Sequence, residues 1–227
     1  MIERKLRFES GTKLGEVSGL LNVPSNAKVL YLLAHGAGAG AGAGMRHPFM
    51  EEISALLASR NVATLRYQFP YLEAGRRRPD YPNVLKATVR GATAAVVRLV
   101  PDLPIIAGGR SMGGRMTSTA AAAKPLDGVR ALVFLGFPLH PPKRPGVERA
   151  EHLSLVNLPM LFLQGTRDAL CHLTLMGPVV DDLGIRAKLH TVEGGDHSFK
   201  VLKRSGRTNP GVMLELAGTI ADWAGSL

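Results

Sequence analysis

The chain has 227 residues, 45% of them hydrophobic and 20% charged, a composition that excludes a disordered protein and provides enough apolar mass for a sizeable core. Its single cysteine excludes an internal disulfide, and no apolar run is long enough to span a bilayer. The formal net charge of +10 favours negatively charged substrates or partners, but the basic residues are scattered. They are densest at Arg76-Arg77-Arg78, with softer groups at Lys143, Arg144 and Arg149 and at Lys200, Lys203, Arg204 and Arg207; no basic stripe with interleaved aromatics is present, so nucleic-acid binding is not expected. The opening segment MIERKLRFES lacks the apolar stretch of a secretory signal, and a cytoplasmic location with no membrane association is the expectation.

In chain order, Arg4 to Phe8 and Glu16 to Val23 read as two strands joined by a turn at Gly11-Thr12. Val29 to Ala34 is a continuous apolar run of the buried-strand type, followed by the run GAGAGAGAG from Gly36 to Gly44. His47 to Arg60 has helical spacing, with Phe49, Ile53, Leu56 and Leu57 on one face. Strands at Val62 to Tyr67, Leu103 to Ala107, Arg130 to Gly136, Pro159 to Gln164 and Ala187 to Val192 then alternate with helical segments. Those helices cover Asn83 to Val100, Met112 to Ala123, about Cys171 to Leu183 and about Pro210 to Trp223. This alternation predicts one α/β domain over residues 1–227, with a mostly parallel sheet covered by helices on both faces. Only 22 residues separate Gly136 from Pro159, too few for a cap domain.

Ligand sites in such sheets gather beyond the carboxyl ends of the strands, and the informative residues of this chain fall there. Gly109-Arg110-Ser111-Met112-Gly113 follows a strand and opens a small-residue helix, the spelling of a nucleophile elbow, in which a serine sits on a strained turn between glycines. The bland alternative is a glycine-rich turn whose serine caps the helix. A serine hydroxyl needs a base to take its proton, and His197 is the candidate; Asp168 is the candidate carboxylate that orients it. The order Ser111, Asp168, His197 is the α/β-hydrolase order. Asp196 is the rival acid, but it adjoins His197 in sequence and neighbouring side chains diverge. His172 and His190 are rival bases, each read as structural, and Cys171 is read as a small buried residue. The N–H groups of Met112 and Ala37 are expected to form the oxyanion hole, with Gly36, Gly38, Arg110 and His140 in contact with substrate. Arg115 is expected to point away into an ion pair.

The Gly-Ala run also imitates a dinucleotide fingerprint, with Gly36, Gly38 and Ala41 fitting G-x-G-x-x-A and Arg66 available for a 2′-phosphate, so an NADP-binding oxidoreductase is a rival reading. A hydrolase-fold scaffold without catalysis is another. The hydrolase reading requires neither a cofactor nor a metal. It implies a small ester or thioester as substrate, an anionic one included, and is silent on oligomeric state.

Beyond these residues, six ordered motifs carry a resemblance. They are Leu33-Ala34-His35-Gly36-Ala37-Gly38, Met45 to Met50, Gly108 to Arg115, Phe137-Pro138-Leu139-His140-Pro141, Leu163 to Asp168 and Gly194 to Phe199. Together the chain resembles the small α/β-hydrolases grouped with testis-expressed protein 30 and subunit 3 of the non-specific-lethal complex, and more distantly dienelactone hydrolases. The resemblance implies Ser111, Asp168 and His197 as triad positions. The Gly-Ala run is longer here than in that pattern, which bears on which N–H donates to the oxyanion.

Overall fold

The computed structural model describes residues 3–38 and 43–227. Within them a single sheet of eight strands has the order β1-β2-β4-β3-β5-β6-β7-β8. The strands are β1 (Arg4–Glu9), β2 (Glu16–Asn22), β3 (Val29–Ala34), β4 (Val62–Tyr67), β5 (Ile105–Arg110), β6 (Val129–Leu135), β7 (Met160–Gly165) and β8 (Ala187–Val192). β1 pairs antiparallel with β2, and β2 antiparallel with β4; every other pairing is parallel. This is the mostly parallel α/β arrangement that the sequence predicts.

The central strands β3, β4 and β7 are buried along their whole length, because helices cover both faces. Alternate side chains of β3 feed two separate cores. Leu30, Leu32 and Ala34 pack with Val89 and Val96 of α3 (Pro82–Leu99) and with Met116 and Ala120 of α4 (Met112–Ala123). Val29, Tyr31 and Leu33 pack with Ile53 and Leu57 of α1 (Pro48–Ala58) and with Val212, Leu216 and Ile220 of α6 (Asn209–Ala224). Helix α5 (Leu173–Leu183) joins the first core through Met176 and Leu183. The β6–β7 connection contains only a short 3₁₀ segment, Glu151–Leu155, in place of a cap.

Three elements differ from the sequence reading. β5 extends through Gly108 and Gly109 to Arg110, so the glycines that read as a turn are strand residues. They pair between β3 and β6 with φ of +152° and +143°, and a Cβ at either would overlap the backbone of Val133 or Ala34. Only glycine permits this spacing. A short helix α2 (Pro70–Glu73) follows β4 where none was expected, started by a proline at its first position. Helix α5 begins at Leu173, two residues after the start near Cys171 that the sequence suggests, with His172 opening it as the N-cap.

Candidate active site

Four parallel strands deliver the site. β3 leads to His35, Gly36, Ala37 and Gly38; β5 to Ser111; β7 to Asp168; and β8 to His197. Ser111 adopts φ 48° and ψ −117°, a conformation costly for a residue with a side chain. It is held there by its N–H donating to Leu135 O at 3.0 Å and by its carbonyl accepting from Arg115 N–H at 3.1 Å. Its side chain makes no capping bond to α4. The hydroxyl instead lies 2.8 Å from His197 Nε2, so the serine is not the helix cap of the bland alternative.

His197 Nδ1 lies 2.7 Å from Asp168 Oδ2, and the Asp168 side chain is fully buried. That carboxylate accepts two further bonds. Leu170 N–H donates to Oδ1 at 2.7 Å, and Gln164 Nε2 donates to Oδ2. A buried carboxylate satisfied in this way favours the Nδ1–H tautomer of the imidazole, which leaves Nε2 free to accept from the serine. The acid and base loops are also joined through their backbones. Thr166 N–H donates to Val192 O at 3.1 Å, and Arg167 N–H to Gly195 O at 2.8 Å. Asp196, the rival acid, does not meet the imidazole. Its Oδ1 accepts from the N–H groups of Ser198 at 2.8 Å and Lys200 at 2.9 Å, closing the turn that presents His197.

Ser111 and His197 border a cavity of about 340 Å³ whose walls include Gly36, Ala37, Gly38, Met50, Arg110 and Leu170, while Asp168 lies buried behind His197. A Cβ on Gly36 would stand 3.6 Å from that of Ser111, so the loop after β3 touches the nucleophile. Met112 opens α4, and its N–H therefore lies outside the helix's own hydrogen-bond ladder. Ala37 borders the same cavity. Residues 39–42 of the Gly-Ala run, Ala41 of the fingerprint among them, lie outside the described residues.

Both ends of that run are anchored on the end of β4 and the chain just after it. His35 is buried; Nδ1 donates to Gly36 O at 2.7 Å and Nε2 accepts from Phe69 N–H at 3.2 Å, and burial pushes its pKa down to about 4. At the other end, Met45 N–H donates to Gln68 Oε1 at 3.1 Å, and Met45 O accepts from Arg66 Nη1 at 2.8 Å. Arg66 is buried and pairs with Glu3. It is committed to the fold, which removes the cation that the NADP reading needed.

Two expectations require correction. His140 was expected to contact substrate, but it is fully buried and away from the cavity. Its ring bridges Pro141 O at 3.0 Å and the N–H of His172 at 3.3 Å, and the backbone N–H of His140 donates to Leu170 O at 3.0 Å. Its backbone thus supports the wall residue Leu170, while the imidazole serves as donor to Pro141 O and acceptor from His172 N–H in a tight buried loop. Arg115 forms no ion pair among the described residues; its side chain is part-buried near His152, and burial lowers its pKa. Arg110 stays at the cavity, donating from Nη2 to Ser198 Oγ at 2.8 Å and lying 5.1 Å over the Phe49 ring. The other rivals are structural. His190 bonds Glu215 at 2.8 Å, and Cys171 is buried, its thiol pushed up to about 12. Gln164, Met50 and Leu170 were missed as site residues, and only Gln164 left a sequence signal, a polar residue ending an apolar strand.

No helix among the described residues is long and apolar enough to cross a membrane. Solved structures with the same fold include a dienelactone hydrolase from Anabaena variabilis, 21% identical, with a TM-score of 0.75 over 98% of this chain and 96% of that one. A serine hydrolase without a lid from Xanthomonas campestris is 17% identical, with a TM-score of 0.71 over 96% of this chain and 91% of that one. An esterase domain from Rhodothermus marinus is 14% identical, with a TM-score of 0.70 over 99% and 98%. A family model described as "Alpha/beta hydrolase domain" matches residues 27–225, and the chain belongs to that family of hydrolases.

Proposed function

We propose that this hydrolase uses Ser111 as its nucleophile and cleaves small carboxylic esters or thioesters through an acyl-enzyme. The observation that carries the proposal is the unbroken hydrogen-bond series from Ser111 Oγ through His197 to Asp168, at 2.8 and 2.7 Å. His197 Nε2 takes the hydroxyl proton as Oγ attacks the carbonyl carbon, and Asp168 stabilises the imidazolium that forms. The N–H groups of Met112 and Ala37 receive the oxyanion of the tetrahedral intermediate. Collapse breaks the bond to the leaving group, which takes the proton from Nε2. Water then enters, His197 acts again as base, and the acid product departs. The absence of a cap between β6 and β7 supports short, soluble substrates, and the printed descriptions of a lidless serine hydrolase and an esterase domain fit the same chemistry.

The proposal extends to the resemblance to the testis-expressed protein 30 group, to one domain over residues 1–227 and to a cytoplasmic setting. A fluorophosphonate probe tests its core. Wild-type protein is expected to label at one serine and to turn over short para-nitrophenyl esters, with both signals lost in Ser111→Ala. Folded wild-type protein that neither labels nor turns over any ester would overturn it.

A further inference from the structure

Beside the catalytic cavity lies a second chamber of about 420 Å³, and the two share His47 and Arg110 as a common wall. Its floor is apolar: Phe49 and Phe199 stack at 6.0 Å with an interplanar angle of 16°, next to Met213. Its rim is cationic. Arg110 is held in place by Ser198 Oγ and by the Phe49 face, and Lys200 is exposed. Among the described residues neither cation forms an ion pair. His47 reports the local field: burial lowers its pKa first, then Arg110 and then Lys200. Two carboxylates are nearby. Glu52 sits exposed on the rim, and Asp196 faces Arg110 but has one oxygen bound to the backbone of its own turn.

The direction of the reaction decides which half of a substrate meets this chamber. The leaving atom takes its proton from His197 Nε2 and so must come within hydrogen-bond reach of it. The chain running on from His197 through Ser198 and Phe199 to Lys200 is the chamber's wall. We propose that the second chamber binds the leaving group, and that the released alcohol or thiol carries an acidic group, carboxylate or phosphate, held between Arg110 and Lys200. This rests on the serine-hydrolase reading above. It adds a leaving-group specificity that the triad alone does not dictate.

The test compares matched aryl acetates. Wild-type kcat/KM for para-carboxyphenyl acetate, corrected for intrinsic alkaline reactivity, is expected to exceed that for para-carbamoylphenyl acetate by about fivefold, as suits one partly exposed charge pair. A para-phosphonophenyl arm distinguishes a carboxylate from a phosphate preference. Lys200→Gln is expected to bring the ratio close to unity, whereas Lys203→Gln, on an exposed turn outside the chamber, keeps it. The preference should also shrink when ionic strength rises from about 0.02 to about 0.5 M. Moving the carboxylate to the acyl side, as in para-nitrophenyl hemiglutarate against the butyrate, should give no comparable gain. Wild-type ratios at or below unity in both the carboxyphenyl and the phosphonophenyl arm, a ratio unmoved by Lys200→Gln, or a preference confined to the acyl side overturns the proposal. If no ester is cleaved, the hydrolase reading fails on its own, and calorimetry of para-hydroxybenzoate against Ser111→Ala decides the chamber. Binding that is lost in the added Lys200→Gln supports it, and no binding overturns it.

Discussion

Gln164 Nε2 donates to the same Asp168 oxygen that faces His197 Nδ1, so one carboxylate oxygen is shared by the imidazole and a buried amide. Both residues come from β7 and the loop just after it, and Gln164 is fully buried. The amide fixes the carboxylate rotamer, and the carboxylate fixes the ring. Gln164→Leu keeps the volume and removes the donor. We expect kcat to fall about tenfold with KM within about twofold, since misorientation acts on the transition state more than on ground-state binding. Steady-state kinetics beside circular dichroism of the variant checks this, and an equal loss spread into KM would argue for general loosening instead.

Gly109→Ala tests the packing beneath the elbow. A Cβ there would overlap the Ala34 backbone at a φ that side chains rarely adopt, and the strand cannot move because it is paired on both sides. The expected destabilisation is at least about 2 kcal/mol, read from the urea midpoint.

Gln68→Ala tests the anchor of the Gly-Ala run. It frees Met45 N–H, while the Arg66 bond to Met45 O remains. Loss of one such bond is worth about 1 kcal/mol, which lowers Tm by about 2–4 °C in a chain of this size. If the run shapes the oxyanion wall, the fluorophosphonate labelling rate falls as well, by about threefold to tenfold. A lower Tm with an unchanged labelling rate would make the anchor purely structural.

His35 should make stability depend on pH. Burial holds its folded pKa at about 4, below the ordinary value near 6.5, so the unfolded chain binds its proton first as pH falls. The stability that neutral His35 protects is complete above pH 6.5 and is lost between there and pH 4, by about 2 kcal/mol at pH 5. Protonation at Nε2 would also break the bond from Phe69 N–H. His152, pushed down to about 4 by burial and by Arg115, adds in the same direction but less, being only part-buried. Urea midpoints across this range in wild type and His35→Gln check it, with a flatter profile expected in the variant.

How much of this was legible beforehand follows from the range of the interactions. Strand and helix positions, the order Ser111, Asp168, His197 and the elbow depend on local periodicity and on spellings such as G-x-S-x-G, which adjacent residues carry by themselves. The fold class followed from their alternation. The extension of β5 through Gly108 and Gly109 was not legible, because glycines in strand and in turn are spelled alike until the neighbouring backbones crowd them. His140 misled for a related reason: a histidine beside prolines on a loop reads as exposed, and only the fold shows that the loop of Leu170 buries it.

By itself, then, the sequence determined which groups are present, which of them stand at strand ends and in what chain order. The tertiary structure alone decided that Asp168 rather than Asp196 meets the imidazole, that Arg66 is spent holding Met45, and that Arg110 divides two chambers. Each of these outcomes is a contact between residues far apart in the chain, selected by which backbones pack together. No local propensity carries that information.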